Sequence, residues 1–199
     1  MKKLVIYLFT IIFLLKGSPI FSYSSNPKDF INELVNEAIS YLSDKNLSKD
    51  QKALLIEKIA IDNVDINALG LYTLGELRKS ASQSDIKNYQ ETFEKYFLKS
   101  LTSRLTEYSS SKFEILDENK KSSNYTIVNS KVIPEDDSPE IKIDWRVFTQ
   151  NPDKPLIRDL IVEGLSLART QKEEFASILS SNNNDINILI SKLNEFVNN

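Results

Sequence analysis

The fold is decided by residues 141–163, which read IKIDWRVFTQNPDKPLIRDLIVE. Every second residue from Ile141 to Val147 is apolar, and the residues between them are charged. This alternation predicts a strand with one buried face and one solvated face. The Asn-Pro-Asp sequence at 151–153 predicts a turn, and residues 156–163 predict a strand that returns beside the first.

Two further strands are predicted on the N-terminal side of this hairpin. An alternating pattern begins at Lys112, with Phe113 and Ile115 as its apolar positions. The next strand runs from Tyr125 to Ile133 and ends at Pro134. Four successive strands joined by short turns predict an antiparallel sheet.

Helices are predicted before the strands. The Asn-Pro pair at 26–27 is a cap followed by proline at the first helical position, and apolar residues continue at helical spacing to Leu42. Ser48 and Gln51 form a capping box for a second helix. A short third helix is predicted over 65–77.

The longest predicted helix begins near Ser84. Its apolar residues recur at steps of three and four as far as Tyr108, and they include Phe93, Phe97 and Leu101. Such a stripe either packs into a core or lines a ligand cavity. Periodicity does not separate these two roles, because it reports burial alone.

Two helices are predicted to close the chain. One begins near Thr170, where Glu173 completes a capping box, and the other follows the asparagines at 182–184. The elements together predict a single α+β unit in which helices pack on one face of a curved, four-stranded antiparallel sheet. This arrangement makes a cone that is open at one end, where apolar ligands commonly bind.

Residues 1–24 have the layout of a removable secretory signal peptide. Two lysines precede the apolar run 4–15, and small residues follow a glycine and a proline that break any helix. Cleavage is expected after Ser22 or Ser24. The run is shorter than the ~20 apolar residues of a spanning helix, so an uncleaved anchor is the less favoured alternative. The remaining residues, 25–199, suit one domain.

The charge of the predicted mature chain excludes some partners. Removal of the signal peptide takes away three lysines and leaves 22 basic residues against 28 acidic ones, a net charge of −6. Nucleic acid is therefore not an expected partner, and an anionic membrane surface would not attract the chain strongly.

The chain contains neither Cys nor His. Ser–His and Cys–His nucleophilic mechanisms are thus excluded, and zinc, haem and iron–sulfur sites lose their usual ligands. Asp159 and Glu163 remain as a candidate acid–base pair, because they lie four residues apart on one predicted strand. We favour the alternative that they pair with Arg146 or Arg158 and fix the strand register.

Three short motifs follow one another in the last third of the chain. A strand carries Trp145-Arg146, the next carries Asp159 followed by Glu163-Gly164 and a serine, and residues 170–175 read TQKEEF. In this order the motifs resemble those of the MlaC (toluene-tolerance) family of periplasmic phospholipid carriers. With upstream matches, the resemblance covers about residues 28–197. It departs at Lys172, where the family usually has arginine.

The resemblance implies an NTF2-like cone that holds the acyl tails of a phospholipid in an apolar cavity and leaves the headgroup outside. It implies a periplasmic carrier that is not an enzyme and needs no cofactor. Its expected partners are an outer-membrane lipoprotein–porin complex and an inner-membrane ABC transporter with an MCE-domain subunit. Two alternatives remain: an NTF2-like enzyme acting on a small apolar substrate, and an adaptor that bridges transporter parts without a ligand.

The residues expected to line the lipid cavity lie on the long helix, the short third helix and the last two strands. They are Leu69, Tyr72, Phe93, Phe97, Leu101, Ile143, Trp145, Val147, Leu160 and Val162. Solid core is an equally good interpretation of each. A structural role is expected for the motif residues Arg146, Asp159, Glu163 and Gly164.

Overall fold

The computed structural model describes residues 23–105, 111–134 and 138–199. The α-helices are α1 Pro27–Ser43, α2 Lys49–Asn63, α3 Ile66–Thr73, α4 Gln83–Leu105, α5 Leu167–Ser180 and α6 Ile186–Asn198. The strands are β1 Ser111–Ser122, β2 Tyr125–Pro134, β3 Ile141–Phe148, β4 Leu156–Val162 and β5 Leu165–Ser166. The predicted signal peptide falls outside the described residues except at its last two positions, and it stays a prediction.

The predicted starts of the first two helices are confirmed. The Asn26 side-chain oxygen accepts the backbone N–H groups of Lys28 and Asp29. Ser48 Oγ accepts the Gln51 N–H at 3.2 Å, and Gln51 Oε1 accepts the Ser48 N–H at 2.8 Å. These reciprocal bonds satisfy backbone donors that a helix N-terminus leaves free.

The predicted third helix is shorter than its apolar pattern. It ends at Thr73, and a 3-10 helix continues over Gly75–Lys79. Gly75 has a φ of 63°, in the left-handed region that glycine adopts without strain, so the α-helix cannot run on through it. The long helix α4 begins one residue before the predicted start and is described as far as Leu105, so the predicted end near Tyr108 lies outside the described residues.

The predicted start of the fifth helix is wrong. Ser166 is its N-cap, and the Ser166 Oγ accepts the Arg169 N–H at 3.0 Å. The helix starts early because β5 ends at this serine and leads directly into the helix. Glu173, predicted to complete a capping box with Thr170, instead forms an ion pair with Arg169 at 3.3 Å.

The sheet is an antiparallel meander in the order β1-β2-β3-β4-β5. Four strands were predicted, and the fifth is a two-residue strand that pairs with the end of β4. A tight two-residue turn connects β4 to β5. Both turn residues have positive φ, 49° at Glu163 and 83° at Gly164. Glycine is the residue suited to such a φ, which gives Gly164 the structural role expected of it.

A β-bulge interrupts the alternation of β1. The register shifts between Ile115 and Asp117, so Leu116 has no cross-strand partner and its side chain is exposed. Beyond the bulge, Glu118 lies opposite Val128. A bulge of this kind reverses which residues face the core, because side chains alternate along a strand.

Two buried clusters hold the domain together. The sheet core joins α1 and α2 to the sheet, and the helical core joins α3, α4, α5 and α6 together with Ala60 of α2. Val64 and Leu101 pack against both clusters. The sheet core contains Phe30, Ile31, Leu34, Ile56, Ile59, Val128, Val147 and Ile157. The helical core contains Ala60, Ile66, Leu69, Leu74, Tyr89, Phe93, Leu98, Phe175, Leu179, Ile186, Leu189, Ile190 and Leu193.

None of the helices in the described ranges is both long and apolar enough to span a membrane.

Asp159 connects the last strands to the helix that follows them. Its side chain is buried, at 5% exposure, and the residue lies directly opposite Arg146. The carboxylate accepts the Ser166 hydroxyl at 2.6 Å and the Ala168 N–H at 3.0 Å, and it lies 3.6 Å from an Arg146 nitrogen. The predicted pairing with an arginine is thus present for Asp159, and it is wrong for Glu163, whose side chain accepts the Lys142 N–H instead.

Replacement of Asp159 by alanine is expected to lower the free energy of unfolding by about 3 kcal/mol, because the Ser166 and Ala168 donors lose a charged acceptor and Arg146 loses its partner. Denaturant unfolding of the purified variant measures this change. Asp153→Ala, in the exposed β3–β4 turn, is the matched control and is expected to change the value by less than about 0.5 kcal/mol. Equal small effects at both positions would contradict the anchoring role.

Candidate functional site

The inner face of the sheet is the candidate site. Residues opposite each other in an antiparallel pair point to the same side, and the register places Trp145 opposite both Val128 and Leu160. Ile143 likewise lies opposite both Ser130 and Val162. The inner face comprises Phe113, Ile115, Thr126, Val128, Ser130, Val132, Ile141, Ile143, Trp145, Val147, Ile157, Leu160 and Val162, and beyond the bulge in β1 it also carries Glu118 and Lys120.

Burial changes along this face. At one end, which we call the closed end, Thr126, Val128, Val147 and Ile157 are buried, and both valines have 0% exposure. At the other end, which we call the open end, the apolar residues are only half-buried although they point to the same side. The open-end residues are Phe113, Ile115, Val132, Ile141, Ile143 and Val162.

Helices account for the closed end. Phe30, Ile31 and Leu34 of α1 belong to the same buried cluster as Val128 and Val147. Ile56 and Ile59 of α2 belong to the same cluster, so two helices cover the closed end of the inner face. This end is solid core, in which a ligand would have to displace well-packed side chains.

The C-terminal part of α4 reaches the sheet core. Leu101 and Leu105 are half-buried, and both pack against the sheet core. Leu101 also packs against the helical core, together with Phe97. The last turns of this long helix therefore connect the sheet core to the helical core.

Trp145 lies where the two ends meet. Its indole Nε1–H donates to Ser130 Oγ at 2.9 Å, and the Ser130 hydroxyl donates to the Ile143 carbonyl at 2.8 Å. The indole also meets the Phe113 ring edge-on, with ring centroids 6.3 Å apart. Two directional contacts thus fix the orientation of a half-buried aromatic ring.

The edge of the open end exposes an apolar side chain. Leu165 of β5 lies directly opposite Val162, and its side chain is 69% exposed. The pairing places both residues on the same face. The apolar surface of the inner face therefore extends to the edge of the sheet at Leu165.

The structure divides the ten predicted lining residues into groups. Ile143, Trp145, Val147, Leu160 and Val162 all lie on the inner face, with Val147 at the closed end. Leu101 reaches the same core from α4. The face is continued by apolar residues that were not predicted to line the site, although their period-two pattern was visible in the sequence: Phe113, Ile115, Val132 and Ile141.

The other four predicted lining residues lie away from the inner face. Leu69 and Phe93 are buried in the helical core, and Phe97 packs against that core. Tyr72 is 41% exposed, and the Lys172 ammonium lies 5.1 Å from the centre of its ring. Lipid contact at these four positions remains a prediction.

The candidate acid–base pair does not face the inner face. Asp159 lies opposite Arg146, and both alternate with the inner-face residues. The Asp159 carboxylate is occupied by its bonds to the turn and to α5. Glu163 is exposed, and its side chain accepts the backbone N–H of Lys142. The two carboxylates therefore hold the turn and do not converge on a cavity.

Charged side chains at the open end neutralise one another. Glu114 lies 2.7 Å from the Lys112 ammonium, and this hydrogen bond lowers the pKa of the carboxyl. Lys131 lies 2.9 Å from Glu140, and the corresponding bond raises the pKa of the ammonium. Because these groups form pairs of opposite charge, they produce no strong electrostatic field of one sign at the open end.

Two surface clefts lie near the first strand. One, of about 350 Å³, is lined by Lys28, Asp29, Asn32, Glu114 and Ile115. The other, of about 260 Å³, lies at the β1–β2 turn and is lined mainly by polar residues. Neither is bordered by a predicted lining residue, but the first reaches the inner face at Ile115 and the second reaches it at Thr126. No group of acidic side chains within the described ranges is arranged to hold a metal ion.

Comparison with known protein families identifies the chain. The family model described as MlaC protein matches residues 32–195, which is most of the sequence. The chain belongs to the MlaC protein family. The matched range contains α2 to α5 and the whole sheet of this MlaC-family protein, so the family assignment covers the inner face as well as the helical core.

A solved structure shares this fold. It is a phospholipid-binding protein from Ralstonia solanacearum in complex with a phospholipid, and it superposes with a TM-score of 0.72 at 16% sequence identity. The match covers 85% of the MlaC-family chain and 96% of the other chain. The predicted α+β, NTF2-like architecture is thereby confirmed. No curated protein matches the sequence.

Phe93 is expected to be a packing residue of the helical core. A Cβ on Gly70 would lie 2.9 Å from Phe93 Cδ1, which shows how closely α3 and α4 approach at this ring. Phe93→Ala is expected to cost about 3–5 kcal/mol of unfolding free energy, measured by thermal or denaturant unfolding. Tyr72→Ala, also on the predicted lining set but exposed, is the control and should cost less than about 1 kcal/mol. Similar costs for both would contradict this division.

Proposed function

We propose that this protein is a soluble phospholipid carrier. The open end of the inner face takes up acyl tails, and the headgroup stays in solvent. The observation that carries the proposal is the change in burial along one apolar face, from solid core at Val147 to half-covered surface at Ile143 and Val162. A continuous apolar surface left half-covered is the kind of surface that binds an apolar ligand.

The physics of lipid transfer supports a protein of this type. Each tail methylene moved from water into apolar surroundings gains about 0.8 kcal/mol, so a phospholipid with two long tails does not cross an aqueous space unaided. A carrier must cover the tails during transit and release them afterwards. Half-buried surface suits this cycle, because the protein can bind the tails without unpacking its sheet core.

The comparisons support the same function. Membership of the MlaC family agrees with the predicted role, and the solved neighbour is described as a phospholipid-binding protein in complex with a phospholipid. That neighbour matches over 96% of its own length, so the likeness extends through the part of the fold that contains the inner face.

We further propose where the carrier works. With residues 1–24 removed as a signal peptide, the domain is released into the periplasm. There it would exchange phospholipid with an outer-membrane lipoprotein–porin complex and with an inner-membrane ABC transporter that has an MCE-domain subunit. These partners follow from the family resemblance. The carrier itself needs no cofactor, because the energy for net transport would come from the transporter.

An enzymatic role receives less support from the site. The alternative required an acid–base pair inside the cavity. The charged residues on the described inner face, Glu118 and Lys120 of β1, are exposed. The polar residues of this face on β2 are Thr126 and Ser130. Both are neutral hydroxyls with weak acid–base capacity unless a base activates them. Asp159 and Glu163, the predicted acid–base pair, hold the β4–β5 turn.

The direct test is to express the full chain for export in a Gram-negative host and to purify the mature protein. An organic extract of that protein is then analysed by mass spectrometry. We expect phospholipid in stoichiometric amount. A protein without any bound lipid would contradict the carrier and support the adaptor, and a different small apolar molecule would support the enzyme.

A matched pair of variants locates the lipid on the inner face. Val162→Asn places an amide against the proposed tails, whereas Ile161→Asn places the same amide on the opposite face of β4, one residue away. Burying an amide without a partner costs about 1–3 kcal/mol, so the first variant should lose lipid occupancy by about tenfold while the second retains it. Mass spectrometry of the extracts measures both. Equal retention would place the lipid elsewhere.

A further inference from the structure

The inner face has a defined boundary between its solid part and its accessible part, and Trp145 occupies it. The next residue on the same face in one direction is Val147, which is fully buried. The next in the other direction is Ile143, which is half-buried. Trp145 is itself half-buried, so the change from solid to accessible surface falls at its indole ring.

The indole is fixed across the face. Ser130 Oγ accepts the Nε1–H of Trp145 at 2.9 Å, while the serine itself is 1% exposed. Since Ser130 lies on β2 opposite Ile143, the bond directs the ring from its own strand toward the open end. The small serine side chain leaves room for the Trp145 and Phe113 rings to meet above it, from strands on either side of β2.

The depth of the open end is smaller than the thickness that lipid tails occupy in one leaflet of a membrane. From Ile141 to Trp145 the strand extends about 13 Å, at ~3.3 Å per residue. One leaflet of a bilayer offers a tail about 15 Å, half of its ~30 Å hydrocarbon core. Because the indole leans toward Ser130, a tail that enters at Ile141 meets the ring before the depth at which an ordinary membrane tail ends.

We propose that Trp145 is the floor of the tail compartment and sets the longest acyl tail that the protein covers, with Ser130 as the positioning residue that holds the indole in place. The inference rests on the proposed carrier function and adds a specificity determinant to it. Tails that reach the indole are covered completely. Each methylene beyond that length stays in water and disfavours binding by about fourfold, the factor that corresponds to the transfer of one methylene.

The test is a competition for tails of different length. Purified mature protein, stripped of lipid, is incubated with vesicles of phosphatidylethanolamines that share one headgroup, in equal amounts of graded tail length. Bound lipid is then identified by mass spectrometry. The wild-type protein is expected to show a sharp upper limit, falling about fourfold per additional methylene. Trp145→Val is expected to move that limit to longer tails.

Controls separate a floor from general loosening of the core. Val147→Ala removes volume below the proposed floor, and it is expected to leave the limit unchanged because the indole still covers that position. If Trp145→Val leaves the limit on tail length unchanged, the inference is overturned. It is also overturned if Val147→Ala moves this limit as far as Trp145→Val does.

The positioning role of Ser130 has a separate readout. Trp145 is the single tryptophan of the chain, so its fluorescence reports the indole alone. Ser130→Ala should shift the emission and relax the tail limit, and Ser130→Thr should restore both by returning a hydroxyl. If Trp145→Val does not fold, Ser130→Ala tests the proposal in its place. A changed Trp145 emission together with an unchanged limit on tail length would overturn the proposal.

Failure of the inference and failure of the proposed function give different results. A wild-type protein that takes up no lipid from the vesicles contradicts the carrier function and the floor together. Bound lipid with the same tail distribution in the wild-type protein and in Trp145→Val leaves the carrier function standing and overturns the floor alone.

Discussion

The register of the last strands depends on one buried carboxylate. Asp159 faces Arg146 across β3 and β4, and it accepts hydrogen bonds from Ser166 and Ala168 where β5 passes into α5. A slip of one residue in this pairing would carry Trp145 and its inner-face neighbours to the opposite side of the sheet. A polar contact on the other side of the sheet thus fixes the strands that form the apolar face. The motif that resembles the MlaC pattern, Asp159 to Ser166, contains two of the residues that make this contact.

The two buried clusters have different structural roles. The helical core, which contains Phe93 and Phe175, is solid throughout and gives the domain much of its stability. The sheet core is solid only at the closed end, where α1 and α2 cover Val128 and Val147. Because the helices leave the open end half-covered, the domain can expose a binding surface there without loss of either cluster. Leu101 packs against both clusters and so connects them.

The sequence predicts the secondary-structure elements well and the inner face of the sheet in part, and the reason is physical. Alternation along β3 and β4 was enough to place Ile143, Trp145 and Val162 on one face. Apolar spacing on α4 could not tell that Phe93 is core, because a buried ring and a lining ring have the same periodicity. The start of α5 was missed because its cap, Ser166, belongs to a two-residue strand that only the turn at Gly164 creates. Which end of the face stays half-covered depends on where helices from distant sequence pack, and no local pattern carries that information.

The most direct test of the account uses the single tryptophan, which lies at the boundary of the proposed lipid surface. The purified protein is loaded with phospholipid brominated in the last part of its tails, and the fluorescence of Trp145 is compared with that of the same protein loaded with unbrominated lipid. Bromine quenches an indole that it contacts. We expect strong quenching with tail-brominated lipid and weaker quenching when the bromine lies near the headgroup. Stoichiometric binding of both lipids without any quenching would contradict the central claim, because it would place the tails away from the inner face.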